Sequence, residues 1–195
     1  IKEIMNTNSL GATITNRRTL TTKEGSVLTL LYLGMIEEAT GGKPWPIKIA
    51  TPTASFTAET SAYSTVKYER VLIGPDMWKE NSLAEFSHFL NNLDQLCARV
   101  KLLGDQSGFS NVKWHQPVRV EGGVLTGVIA KVKKPELRQM LMENENKKLR
   151  FIVACNLLWY NNNKGGVSIE VVDIKKEEEE GVAPKETVET KEEEV

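Results

Sequence analysis

The sequence predicts a mainly β domain, a small barrel that is interrupted by one amphipathic helix. Three observations predict this fold class. Stretches rich in β-branched and apolar residues recur along the chain, separated by turns that contain glycine. One long stretch in the middle has helical periodicity instead. The clearest alternation of all forms a hairpin near the end of the domain.

The first part of the chain predicts several extended segments. Residues 12–20 and 26–36 form a hairpin, closed by a turn that contains glycine. Residues 45–50 are predicted at a sheet edge, because Pro44 just before them and Pro46 within them cannot donate to a ladder. Residues 51–60 are rich in Thr, Ser and Ala and are predicted to be a mobile loop. Residues 63–73 are again strand-like.

The one long helix is predicted between Ser82 and Gly104. Ser82 and Glu85 have the spacing of a capping box, in which each side chain bonds the backbone of the other residue. Gly104 is expected to end the helix. Its apolar stripe consists of Leu83, Phe86, Phe89, Leu90, Leu93, Leu96, Cys97 and Val100.

Strands are predicted again in the last part of the domain, at residues 112–120 and 124–132. A short helix follows at residues 135–142, with Pro135 at its first position. The final hairpin turns at residues 161–166. One face of its first strand is expected to carry Leu149, Phe151, Val153, Cys155, Leu157 and Trp159, and Val167, Ile169 and Val171 lie on the returning strand. Both faces are apolar, so this first strand is predicted to be central.

The order of strands, inserted helix and further strands is that of the OB-fold, in which a helix lies between the third and fourth strands of a small barrel. OB-folds bind oligonucleotides on one strand face. A two-sheet β-sandwich would produce nearly the same pattern, and it remains the alternative fold.

The charge of the chain divides it into two parts. The formal net charge of 195 residues is −1. Residues 177–195 contain nine Glu and two Lys, a balance of −7, which leaves +6 for residues 1–176. The tail has no aromatic residue and too little apolar surface to offset its ordering entropy. We therefore expect a basic β-rich domain at residues 1–176 and a disordered acidic tail at residues 177–195.

The cysteines and the absence of targeting signals indicate an intracellular protein. Cys97 and Cys155 lie far apart in apolar contexts, so we expect reduced core thiols and no disulfide framework. No apolar run approaches the roughly 18 residues of a membrane span, and no signal peptide opens the sequence. The expected location is intracellular, in the host cytoplasm or nucleus if the protein is viral, and no membrane partner is expected.

The sequence carries no signature of catalysis. His88 and His115 belong to no recognisable triad or zinc motif, and they are interpreted as polar residues on a helix and on a strand face. The three glycine pairs lack the context of a phosphate-binding loop and are interpreted as turns. We expect no enzyme activity, no cofactor and no metal site.

Cations and aromatic residues are interleaved along the basic domain, and nucleic-acid binding uses both. Cations contact phosphates, and aromatic rings stack on bases. For Trp114 and Trp159, which lie on the apolar phase of their strands, burial in the core is a competing interpretation. The predicted nucleic-acid-binding residues are Lys43, Trp45, Lys48, Lys67, Tyr68, Arg70, Lys113, Trp114, Arg119 and Lys131.

A basic barrel with one internal helix and a terminal Glu-rich tail resembles the single-stranded DNA-binding proteins of bacteriophages and some other DNA viruses. The resemblance implies sequence-independent coating of single-stranded DNA in replication, recombination or repair, and a tail that docks replication or recombination proteins. One departure is that such tails often finish on an aromatic residue, whereas this one ends on Val195. The acidic residues assigned to partner binding are Glu177, Glu178, Glu179, Glu180, Glu192, Glu193 and Glu194.

The charge of the tail suggests a second role, since it can compete with nucleic acid for the basic domain as a mimic of phosphate. Two other functions also fit the sequence, a viral structural or assembly protein with a β-sandwich fold and a histone-chaperone-like acidic binder. The +6 domain argues against the chaperone. RNA in place of DNA, and a homodimer in place of a monomer, both remain open.

Overall fold

A computed structural model of the protein describes residues 11–35, 46–59, 65–76 and 81–176. Strands make up 50% and helices 23% of these described residues, which confirms the mainly β prediction. The elements in chain order are β1 (Ala12–Thr21), β2 (Val27–Met35), β3 (Lys48–Ala50), β4 (Ala54–Ala58), β5 (Arg70–Pro75), α1 (Ser82–Gln106), β6 (Lys113–His115), β7 (Val118–Glu121), β8 (Val124–Lys131), α2 (Pro135–Glu143), β9 (Leu149–Asn161) and β10 (Lys164–Lys176).

Five strands close a barrel in the spatial order β4, β5, β8, β10 and β9, and β9 returns to β4. Neighbours in the barrel are antiparallel except β8 and β10, which are parallel. Numbered along the chain, the barrel strands follow the order 1-2-3-5-4-1, which is the order of the OB-fold. The OB-fold-like barrel is therefore confirmed, and the described ranges do not form the alternative two-sheet sandwich.

Both helices are inserted between barrel strands. The long helix α1 lies between the second and third barrel strands, and its buried side includes Phe86, Leu90 and Leu93. The short helix α2 lies between the third and fourth, so it occupies the position in which the sequence placed the long helix. Neither helix of the described ranges has an apolar stretch long enough to cross a membrane.

The start of α1 differs from the predicted capping box. Asn81 is the N-cap residue, with φ 66°, and no side chain bonds a helix N–H there. The hydroxyl of Ser82 is buried and accepts a hydrogen bond from the backbone N–H of Asp76 at 3.0 Å. Ser82 therefore ties the helix to the end of β5. The helix also continues past Gly104 to Gln106.

The prediction of a mobile loop at residues 51–60 is wrong, because β4 lies within it. Ala54 and Phe56 are buried, whereas Ser55 and Thr57 are exposed. Small and hydroxylated residues are compatible with the exposed face of a strand. The polar composition of this stretch therefore hid a short alternation of buried and exposed residues.

The central strand of the fold is β9, as the sequence predicted. One edge pairs with β10 along its whole length. The other edge pairs in turn with β4, β3 and β2, so that the β1–β2 hairpin extends the barrel wall.

A β-bulge at Asn156 changes the alternation of β9. Cys155 and Leu157 pair with consecutive residues of β10, so Asn156 is an extra residue. One extra residue shifts every following side chain to the other face of the strand. The buried side chains that face inward are Phe151, Val153 and Cys155 before the bulge and Leu158 and Tyr160 after it. The prediction that Leu157 and Trp159 share the face of Phe151 is therefore wrong.

The two cysteines are buried free thiols, as predicted. Burial raises the pKa of Cys155 to about 12. Burial also raises the pKa of Cys97 well above its usual value, with smaller effects from Cys155 and Asp94. A thiol that stays protonated is a poor nucleophile, so both side chains serve the core.

Candidate nucleic-acid interface

Three of the predicted cations lie in one row on the outer face of the barrel. Arg70 of β5 pairs with Lys131 of β8, which in turn pairs with Glu170 of β10. Glu170 pairs with Ala154 of β9, and Ala154 pairs with Lys48 of β3. Paired residues share a face of the sheet. The neighbours of these residues along each strand point into the core, so the row faces outward.

Arg70 and Lys131 lie directly opposite each other, and like charges in that position are destabilising. The pKa of Lys131 is lowered, first by burial and then by the charges of Arg70 and Lys133, while Glu69 and Glu170 raise it in part. A bound anion would relieve the repulsion between the two cations. Their arrangement is therefore suited to a phosphate group.

A cleft of about 340 Å³ opens beside this pair, between β8 and β10. The two parallel strands meet in a single register pair, at Lys131 and Glu170. The lining of the cleft includes Arg70, Lys131, His115, Gln116, Trp159 and Ser168. Cations and an aromatic ring therefore share one concave surface.

Trp159 and His115 form the aromatic wall of the cleft. Their ring centroids are 5.7 Å apart with an interplanar angle of 31°. Gly166 lies on β10 between them, where a Cβ atom would approach the indole Nε1 to 3.0 Å and the carbonyl oxygen of His115 to 2.7 Å. The glycine thus lets the indole lie close against β10.

Neither residue of this wall belongs to the predicted site. From the sequence, Trp159 could be either a core residue or a stacking platform, and His115 was interpreted as a polar residue on a strand face. Trp159 faces outward because of the bulge at Asn156. Asn156 is the one polar residue between residues 151 and 160, and it is the signal that could have located the bulge.

Trp114 lies on the opposite side of the sheet. It pairs with Gly165, which pairs with the buried Tyr160, and its ring packs against the core. The ammonium of Lys101 lies 5.6 Å from the ring centroid. The competing interpretation of Trp114 as a core residue is therefore the better one. Lys113 is exposed and faces outward, on the same side as His115.

Tyr68 does not form an open platform. The residue is only 6% exposed, and the centroid of its ring lies 5.9 Å from that of Phe56. Its hydroxyl donates to Glu145 Oε1 at 2.9 Å, and Lys67 forms an ion pair with the same oxygen. Burial and Glu145 raise the pKa of Tyr68 to about 12, while the hydrogen bonds from Lys67 and Tyr68 lower the pKa of Glu145. The predicted stacking role of Tyr68 is therefore corrected to a structural one.

Arg119 of β7 also has a structural partner. Its Nη2 atom donates to Glu59 Oε1 at 2.7 Å, and both side chains are partly buried. The remaining predicted residues, Lys43, Trp45, Glu177, Glu178, Glu179, Glu180, Glu192, Glu193 and Glu194, lie outside the described residues.

Comparisons of the chain with protein-family models, with curated proteins and with solved structures found no match. Within the described part of the chain, no three His, Cys, Asp or Glu side chains are placed so that they could hold a metal ion. Function is therefore inferred from the cleft and the row of cations themselves.

Proposed function

We propose that the chain is a sequence-independent single-stranded DNA-binding protein of DNA replication, recombination or repair. The observation that carries the proposal is the cleft, which joins the paired cations Arg70 and Lys131 to the aromatic wall of Trp159 and His115. In this proposal the cations hold phosphates and Trp159 stacks on a base.

The geometry supports an extended ligand better than a compact one. The row from Arg70 to Lys48 crosses five strands, which at about 4.8 Å between strands gives roughly 19 Å along the curved wall. OB-folds cover about 4–16 nucleotides of single strand. Phosphate contacts and stacking are both tolerant of sequence, so little base preference is expected.

Glu170 lies within the row and balances part of its charge before DNA binds. It pairs with Lys131, and its Oε2 atom accepts a hydrogen bond from Asn156 Nδ2 at 3.4 Å. A phosphate on Lys131 has to compete with this carboxylate. The acidic tail follows β10 directly in sequence and can compete in the same way, or it can recruit replication or recombination proteins.

The proposal is tested by fluorescence anisotropy with labelled oligo-dT over a range of salt concentrations. The full chain is compared with a chain that ends at Lys176. The logarithm of the binding constant for the single strand should fall linearly with the logarithm of the salt concentration. The slope should be about −0.7 for each phosphate contact. The shorter chain should bind more tightly at low salt if the tail competes. Absence of binding by both chains, together with symmetric oligomers in light scattering, would favour an assembly subunit instead.

Matched variants separate the cleft from net charge. Changing Arg70 and Lys131 together to Gln should reduce the salt slope by about 1.4, because two phosphate contacts are lost. Changing Lys23 and Lys147 to Gln removes the same charge from exposed positions outside the cleft and the row. Equal losses of affinity in the two double variants would contradict a role for the cleft.

A further inference from the structure

The outer face of the sheet continues from the barrel onto the β1–β2 hairpin and carries an apolar patch there. This outer patch consists of Leu28, Leu30 and Tyr32 of β2 and Leu157 and Trp159 of β9. All five side chains are half-buried, and none belongs to the core cluster. Contiguous apolar side chains on the outer face of a sheet are typical of a binding surface.

The outer patch is continuous with the cleft through Trp159. Leu30 pairs with Trp159, and Tyr32 pairs with Leu157, so Tyr32 and Trp159 are diagonal neighbours on adjacent strands. Such neighbours lie about 7–8 Å apart. A single strand that stacks one base on Trp159 therefore meets a second aromatic ring at the next step.

The hairpin also places one cation beside the patch. Arg18 of β1 is exposed and pairs with Leu30, so it faces the same way as the patch. Its neighbour Arg17 pairs with the buried Leu31 and faces the opposite side, where its guanidinium carbon lies 5.3 Å from the ring centroid of Phe109. Two adjacent arginines are thus divided between the two faces of the sheet.

We propose that the outer patch is a second nucleotide subsite, in which Tyr32 stacks on the base next to the one on Trp159 and Arg18 holds a phosphate. This inference rests on the proposed function. The strands β1, β2 and β9 contain no Asp or Glu. A second copy of the chain on this patch would bring arginines together without carboxylates, whereas a polyanion complements it.

Binding of a short and a long oligo-dT, about four and about sixteen nucleotides, tests the subsite. Tyr32→Ala should weaken binding of the long probe about tenfold. Its affinity for the short probe, which binds in the cleft, should stay within about twofold of that of the wild type. Tyr32→Phe keeps the ring and should bind as the wild type does. Thermal unfolding of each variant confirms that it is folded at the assay temperature.

The two arginines supply a matched pair of variants. Arg18→Ala should weaken binding of the long probe and reduce the steepness of its salt dependence by about 0.7. Arg17→Ala removes the same charge and should leave that salt dependence unchanged. Equal effects of the two substitutions would overturn the subsite.

Two further outcomes separate this inference from the proposed function. One outcome is that the wild type binds the long probe, the Arg70 and Lys131 double variant binds it more weakly, and Tyr32→Ala binds it as the wild type does. This outcome supports the cleft and shows that the second subsite is wrong. If Tyr32→Ala converts an oligomer to a monomer in light scattering without changing DNA affinity, the patch is a contact between copies, and the subsite is again wrong. Absence of binding by the wild type contradicts the proposed function itself.

Discussion

The two sides of β9 place adjacent aromatic residues in different surroundings. On the inner side, Tyr160 is 2% exposed and stacks on Phe109, with centroids 4.3 Å apart and planes 14° apart. On the outer side, Trp159 is half-buried beside His115 and the cations of the cleft. Under the proposed function, this difference predicts that substitutions one residue apart affect different properties, stability on the inner side and DNA affinity on the outer side.

The largest effect is expected on the inner side, from Gly104→Ala. A Cβ atom at Gly104 would lie 1.7 Å from the hydroxyl oxygen of Tyr160 and 2.9 Å from its Cζ atom. Helix α1 would have to move, and we expect a loss of about 3 kcal/mol in the free energy of unfolding. Urea unfolding followed by circular dichroism measures it, and ssDNA affinity should be unchanged where the variant is folded.

Tyr160→Phe provides the control for this steric effect. The hydroxyl of Tyr160 is buried with no hydrogen-bond partner in the described part of the chain, so its removal should cost little. The double variant with Gly104→Ala should recover part of the lost stability. No recovery would mean that the close approach of Gly104 and Tyr160 is not the cause.

The next largest effect is expected on the outer side, from Trp159→Ala. Loss of one stacking platform should weaken oligo-dT binding by about 2 kcal/mol. Trp114→Ala is the matched control, because that ring packs against the core and should affect stability in place of affinity. Anisotropy and thermal unfolding of both variants measure the two properties. Equal losses of affinity would remove the distinction between the two sides.

A smaller effect, about 1 kcal/mol, is expected from alkaline pH through Lys131. A phosphate binds its ammonium form, which is complete below its lowered pKa and is lost as the pH rises through that value. The affinity for DNA should therefore begin to fall at a lower pH than it would with an ordinary lysine, whose pKa is 10.5. Oligo-dA at constant ionic strength is the probe, because adenine loses no proton in this range. Lys131→Arg should abolish the decline.

The smallest effect is expected from Tyr68→Phe, which tests a residue that resembles a platform only in sequence. Loss of the hydrogen bond to Glu145 should lower Tm by about 2 °C and leave ssDNA affinity unchanged. Because the pKa of Glu145 is lowered, its carboxylate stabilises the fold at neutral pH, and this contribution is lost as the pH falls through that lowered value. The difference between Tyr68→Phe and the wild type should therefore shrink in acid. A loss of ssDNA affinity in Tyr68→Phe would instead support the predicted stacking role of Tyr68.

Periodicity was sufficient to predict the long helix, the hairpins and the central position of β9, because each depends on residues close in sequence. The barrel followed from the order of these elements. Features that depend on distant partners were missed. Ser82 has the spacing of a capping residue, but it bonds the backbone of Asp76 instead, and the polar face of β4 concealed a strand.

The sequence predicted the cations of the candidate site but neither its aromatic wall nor its arrangement. Arg70 and Lys131 were both identified as cations, yet only the pairing of β5 with β8 places them opposite each other. Tyr68 has φ 61°, a value that is uncommon for a non-glycine residue, and its ring packs against Phe56 in the core. Such contacts leave no trace in the local pattern of charged and aromatic residues.

The bulge at Asn156 also bears on how this chain tolerates insertion and deletion. Without that residue, Cys155 and Leu157 would be consecutive and would keep their present partners on β10, so the same side chains would face the core and the same would face outward. The deletion would remove the extra local twist of the bulge and the hydrogen bond to Glu170. A homologue shorter by one residue here should therefore have a regularly alternating β9 with the same side chains on its outer face.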